Sequence, residues 1–166
     1  MNTASLHNGC HFLPGFFQIA YVTTDLEQAM RTFDEQYGVK RYFELRDVAY
    51  DERTRVSIAT AYAGDVMIEL IEPKGEGGSI YELLLPQDGD FAIRHHHMGH
   101  LFQREEDLKQ AVQLATRKGQ AIAYEGGMGG VLKAVYIDTR DVLGHYLEYI
   151  HCTPVGLEFL NQAPRN

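Results

Sequence analysis

At 166 residues, 45% of them hydrophobic, the chain has material for one core, or for two small modules that share one. Its 15 Lys and Arg against 23 Asp and Glu leave a formal charge of −8. That argues against a nucleic-acid partner, because phosphate binding needs a basic face. No apolar run reaches 18 residues, so no membrane span is expected. Two cysteines outside any CxxC, and a start without a basic n-region, point to a reduced, cytoplasmic protein.

Residues 1–13 read as an arm. From 14 to 75 the chain reads β-α-β-β-β. FFQIAYV, rich in aromatic and branched residues, suits a buried strand. Thr24 and Glu27 have capping-box spacing. Leu26, Ala29, Met30, Phe33 and Tyr37 then form one helical stripe over 25–37, and Gly38 supplies the stop. RVSIATAY and VMIELIEP continue as strands.

Residues 76–91 carry Gly, Pro and Asp and read as a linker with a short helical piece. From 92 to 153 the grammar repeats. HHHMGHLF precedes DLKQAVQLATRKG, whose Leu108, Ala111, Val112 and Ala115 repeat the stripe and whose Gly119 repeats the stop. LKAVYID and HYLEYIH follow as strands. EGGMGG, just ahead of LKAVYID, lacks the strand–helix context and the Lys-Ser/Thr ending of a phosphate loop, and reads as a hairpin connection or a mobile loop. Residues 154–166 form a second arm. The period is too long for a solenoid and fits duplication of one supersecondary unit.

Polar residues interrupt these strands at related places. Gln18 sits in the first, Glu69 in VMIELIEP, His97 in RHHHMGH and Glu148 in HYLEYIH. A buried carboxylate is costly unless paired or bound to a cation. Gln18 and Glu69 are 51 positions apart (69 − 18), and so are His97 and Glu148 (148 − 97). An amide, an imidazole and two carboxylates make a mixed oxygen–nitrogen set suited to one divalent ion: Zn, Ni, Co, Mn or Fe. Because strand side chains alternate, at most two of the four clustered histidines can face one pocket. His96 and His100 are read as packing residues, and His95 as a neighbour or rim of the pocket.

QIAYVTTDLEQAMRTFDEQYG, IELIEP, HHMGHLF and GHYLEYI resemble the corresponding stretches of the vicinal oxygen chelate superfamily. That superfamily includes glyoxalase I, methylmalonyl-CoA epimerase, bleomycin-resistance proteins and extradiol dioxygenases. The resemblance spans roughly residues 14–153. It implies an α+β fold of two βαβββ modules forming a cupped mixed sheet with helices outside, and a divalent metal held by Gln18, Glu69, His97 and Glu148. The set resembles that of animal-type glyoxalase I. One departure concerns His97, which lies 10 residues before Asp107, whereas Gln18 lies 7 before Asp25. His100 is therefore a second counterpart, although His97 preserves the 51-residue spacing.

The resemblance further implies a lyase, isomerase or epimerase that abstracts a proton next to a carbonyl of a small oxygenated substrate. Glu148 would be the base, Glu69 its alternative or partner, and Tyr146 and His95 would line the cup. A homodimer is expected. The second reading is a metal-free protein that sequesters a ligand, as resistance proteins do. The third is an extradiol-type dioxygenase, which Gln18 disfavours.

Overall fold

In the computed structural model, residues 15–75 and 79–166 are described. The expected arm at 1–13 and the first positions of the 76–91 linker lie outside them. The order of elements is β1 (Phe16–Thr23), α1 (Leu26–Tyr37), β2 (Phe43–Ala49), β3 (Thr54–Ala63), β4 (Val66–Gly75), β5 (Ile93–Phe102), α2 (Glu105–Arg117), β6 (Ala121–Met128), β7 (Leu132–Asp138), α3 (Arg140–Leu143), β8 (Tyr146–Cys152) and α4 (Pro154–Leu160). The fold is α+β with a mixed sheet. It divides into two compact units, and the divisions fall inside β1 and β5.

One unit is Ile19–His96 with Gln162–Asn166. Its strands run β2-β3-β4-β1. Leu26, Ala29 and Phe33 of the α1 stripe are buried against Ala59, Ala61 and Leu70, whereas Tyr37, at the end of the stripe, is exposed. The helix begins one residue later than the capping-box reading placed it. The Thr24 hydroxyl donates to the Asp90 carbonyl and accepts from Ala92 N, which ties down the start of β5. Asp25 therefore caps instead, its Oδ1 accepting from Gln28 N at 2.8 Å. Glu27, expected to reach back, is paired with Arg46 at 2.6 Å. The Glu72 carboxylate of β4 takes up Leu26 N at 3.2 Å and supplies the negative charge a helix N-terminus favours. Gly38 ends the helix in the left-handed region, at φ 74°.

The short helical piece expected in the linker is a pair of consecutive turns, Glu82 N to Ser79 O and Leu85 N to Glu82 O. The tail of the chain is part of this unit. Tyr62 N donates to Pro164 O and Asn166 N to Tyr62 O. The Asn166 side chain accepts from both Lys40 N and Arg41 N at 2.9 Å.

Among the described residues, the other unit comprises Gly15–Gln18 and His97–Asn161. Here β8 lies parallel to β5 and antiparallel to β7, and β7 is antiparallel to β6. One face of these strands packs on α2. Leu108, Ala111 and Ala115 form a core with Phe102, Val135, Ile137, Leu147 and Tyr149. The opposite face of β5, β7 and β8 carries the polar residues. The EGGMGG segment is split between the end of β6 and the hairpin that leads into β7.

Candidate functional site

Strand alternation and register build the site within the second unit. On β8, Leu147 and Tyr149 belong to the α2 core, so Tyr146 and Glu148 point the other way. Register carries that face across to the neighbouring strands. Glu148 stands opposite Tyr136 of β7 and Gly99 of β5, and Tyr146 stands opposite Asp138 and His97. His97 Nε2 lies 3.1 Å from Glu148 Oε2, with both residues buried. The Tyr136 ring meets His97 edge-on at 5.2 Å between centroids, and the Tyr146 ring lies 6.4 Å from that of Tyr136.

Gln18 reaches the same face, and Gly99 makes room for it. A Cβ at position 99 would sit 2.5 Å from Gln18 Oε1 and 3.1 Å from Phe17. The buried carboxamide therefore lies over the residue paired with Glu148. His100, on the α2 side, packs edge-on against Tyr149 at 5.6 Å and near Phe16 at 6.2 Å. Of the two histidines left open by the sequence, His97 is the one that accompanies Glu148.

Glu69 and His95 belong to the other unit. Glu69 is half-buried in β4, opposite Thr60 of β3, on the strand face away from Ile68 and Leu70, which pack with α1. The His95 ring lies 5.7 Å from Tyr21, which in turn packs edge-on against Phe33 of α1.

Around the His97–Glu148 pair, several groups are shifted from their ordinary protonation behaviour. Burial raises the Tyr146 phenol, and the neighbouring Arg140 cation partly offsets it. Burial lowers His145; the Leu143 carbonyl it contacts opposes that, and the charge of nearby His97 adds to it. Burial, reinforced by the Glu148 charge, pushes the Cys152 thiol up to about 11. The sequence reading passed over Tyr136, Asp138 and Arg140. Their one signal was alternation in KAVYID, which sets Tyr136 and Asp138 on the face opposite Val135 and Ile137.

The donor set fits a divalent ion. Two ligands about 2.1 Å from one ion, at angles between a right angle and the tetrahedral value, stand about 3.0–3.4 Å apart. The His97–Glu148 contact falls in that range. The Gln18 amide oxygen adds a hard donor. Among the described residues, no group of three or more His, Cys, Asp or Glu is placed to hold a metal.

A family model, the Glyoxalase/Bleomycin resistance protein/Dioxygenase superfamily, matches residues 17–134, well over half of the chain. The chain belongs to this superfamily. The resemblance read from the sequence motifs is thereby borne out. Solved structures share the fold at low identity. The methylmalonyl-CoA epimerase of Mycobacterium tuberculosis is 15% identical with a TM-score of 0.60, covering 84% of this chain and 89% of that one. A Streptomyces coelicolor methylmalonyl-CoA epimerase, in complex with 2-nitronate-propionyl-CoA, is 16% identical with a TM-score of 0.58, covering 86% and 97%. A hypothetical protein from Bacillus halodurans C-125 is 16% identical with a TM-score of 0.63, covering 83% and 94%. No curated protein matches the chain. Among the described residues, no helix of this superfamily member is long and apolar enough to cross a membrane.

Proposed function

We propose that this protein is a divalent-metal-dependent enzyme that abstracts a proton next to a carbonyl, as a glyoxalase-like lyase or isomerase or as an epimerase. The observation that carries the reading is the buried His97–Glu148 contact at 3.1 Å, with the Gln18 carboxamide over Gly99 beside it. Superfamily membership and the fold shared with methylmalonyl-CoA epimerases support it.

In this reading Gln18, His97 and Glu148 hold the ion. The resemblance implies Glu69 as a further donor and as the alternative to Glu148 or its partner. When bound, the ion supplies Lewis-acid polarisation of the substrate carbonyl. Glu148 takes the proton from the adjacent carbon and returns it there or to a neighbouring atom, which gives epimerisation or isomerisation respectively. His97, fixed edge-on against Tyr136, holds the carboxylate in place, and the buried strand face keeps bulk water from competing for the proton. Tyr146, beside His97, flanks the substrate. A homodimer is expected as well, and light scattering tests it; the cytoplasmic expectation rests on the cysteine usage.

Elemental analysis of the purified protein and of Glu148→Gln tests the reading, together with deuterium wash-in from solvent over hemithioacetals and 2-hydroxy and 2-oxo thioesters. About one metal per chain and carbon-bound deuterium in one substrate class, lost in the variant, support it. Wild type without metal and without exchange overturns it. A specific observation favours a second reading, a metal-free ligand-binding protein: the face around His97 is lined by the rings of Tyr124, Tyr136 and Tyr146. Tight binding of an aromatic compound by metal-free wild type would establish that one instead.

A further inference from the structure

At the edge of the His97–Glu148 face, β7 ends and α3 begins, and an arginine is locked into one orientation there. Arg140 Nε donates to Asp138 Oδ1 at 3.0 Å and Nη2 to Asp138 Oδ2 at 2.7 Å. The guanidinium lies over the Tyr146 ring, 4.8 Å from its centroid. Among the described residues, Nη1 meets no acceptor, so one edge of the fork remains available. Among the described residues, Arg46, Arg55 and Arg104 also pair with carboxylates, but their side chains are 43%, 52% and 70% exposed, against 34% for Arg140, and no ring lies beneath them. Arg165 does lie over the Tyr62 ring at 4.6 Å, but it is 65% exposed and its carboxylate partner, Asp65, stands at 3.6 Å through one nitrogen.

Position gives this clip its meaning. Tyr146, which carries the guanidinium, is the cross-strand neighbour of His97 and the next residue to Glu148 on the same face. Asp138, which aims the guanidinium, is the cross-strand neighbour of Tyr146. A planar, permanently charged fork with restricted motion recognises a carboxylate well, because its orientational entropy has already been given up. In a chain of net charge −8, such a cation beside a buried carboxylate site is an unusual investment. A turn clip alone needs only the contact from Arg140 N to Asp138 Oδ1, which is also present at 3.1 Å.

We propose that Arg140, oriented by Asp138 and the Tyr146 ring, binds a carboxylate group of the substrate, and that the substrate is a small organic acid carrying this carboxylate close to the reacting carbon. As a statement about the substrate, this rests on the proton-abstraction reading; as a statement about anion binding, it stands alone.

Calorimetric titration of the purified protein with lactate and with lactamide, its neutral analogue, tests it. Lactate is expected to bind at least tenfold more tightly. Arg140→Met is expected to abolish that preference while leaving lactamide affinity and metal content unchanged. Arg140→Lys, which keeps the charge and loses the fork, is expected to restore only part of it. Should Arg140→Met fail to fold, the Nε resonance of Arg140 in wild type gives the answer directly, since lactate should shift it and lactamide should not. Equal binding of the two compounds, a preference that survives in folded Arg140→Met, or an unmoved Nε resonance overturns the proposal. A lactate preference without exchange on any substrate would sink the enzymatic reading and leave anion recognition standing. Exchange on neutral hemithioacetals without any preference would do the reverse.

Discussion

His97 and Glu148 are brought within 3.1 Å because β5 and β8 are parallel neighbours whose register sets Gly99 opposite Glu148 and His97 opposite Tyr146. Parallel pairing needs a long crossover, and α2, β6 and β7 provide it. The two residues are far apart in the chain and adjacent on one buried face, an arrangement that a single slip in register would destroy. His97 and His100 occupy opposite sides of the same strand, and their removal should have opposite consequences. His97→Ala is expected to lower bound metal several-fold or more with modest loss of stability. His100→Ala is expected to keep the metal and to destabilise the fold by about 1–3 kcal/mol through the space left beside Tyr149 and Phe16. Elemental analysis and urea unfolding of both variants check the pair. Equal metal loss in the two would mean that the face assignment is wrong.

Gly99 is the steric counterpart of Gln18. A methyl group there would stand 2.5 Å from Gln18 Oε1 and 3.1 Å from Phe17, closer than carbon and oxygen approach without repulsion. Gly99→Ala should therefore cost about 1–3 kcal/mol by overpacking, or turn the carboxamide away. Thermal melting reads the first outcome and metal content the second. A variant unchanged in both would show that Gln18 is not held over Gly99.

The two long helices, α1 and α2, were legible because each has one continuous apolar stripe, and the buried positions Leu26, Ala29, Phe33, Leu108, Ala111 and Ala115 all fall on the predicted lines, whereas the short α3 and α4 carry no such stripe and were not read as helices. The first helix cap was misplaced by one residue for a tertiary reason: the Thr24 hydroxyl is committed to residues 90 and 92, which no local pattern reveals. Gln18, His97 and Glu148 stood out as polar interruptions in apolar strands, whereas Tyr136 was invisible because a tyrosine in a strand looks like ordinary core. The two ends of the EGGMGG run have different jobs. Gly126 is needed because the Tyr124 ring folds over it, and Gly127 because the chain passes close to Leu132 O. Neither constraint shows in a pattern of glycines. The Arg140–Asp138 pair was missed because a strand-ending Asp-Thr-Arg reads as a plain turn until Tyr146 is seen beneath the guanidinium.

The tail supplies a test of local stability. Asn166 satisfies Lys40 N, Arg41 N and the Arg41 carbonyl with one carboxamide, and its own N–H donates to Tyr62 O. The site is exposed, so each bond is worth about 0.5–1.5 kcal/mol net. Asn166→Ala is expected to speed hydrogen exchange at Lys40 and Arg41 by about tenfold and to leave exchange in β7 and β8 unchanged. Faster exchange everywhere, or nowhere, would contradict a local clasp.

Cys152 gives a pH dependence with a definite sign. Its thiol is raised from 9.0 to about 11 in the folded chain by burial, with the Glu148 charge adding to the effect. Above pH 9 the unfolded chain loses this proton while the folded chain keeps it, so the native state binds more protons and stability falls as pH rises. The contribution is fully present below pH 9 and is lost as pH climbs through about 11. Cys152→Ala should therefore show a shallower decline than wild type between pH 9 and 11, the raised tyrosines contributing equally to both. At pH 8, alkylation mapped to Cys152 by mass spectrometry should track unfolding, since the thiolate is the reactive form and the native site suppresses it. Rapid labelling of Cys152 in the native protein at pH 8 would mean that the thiol is neither buried nor raised, and the β8 face beside Glu148 would have to be redrawn.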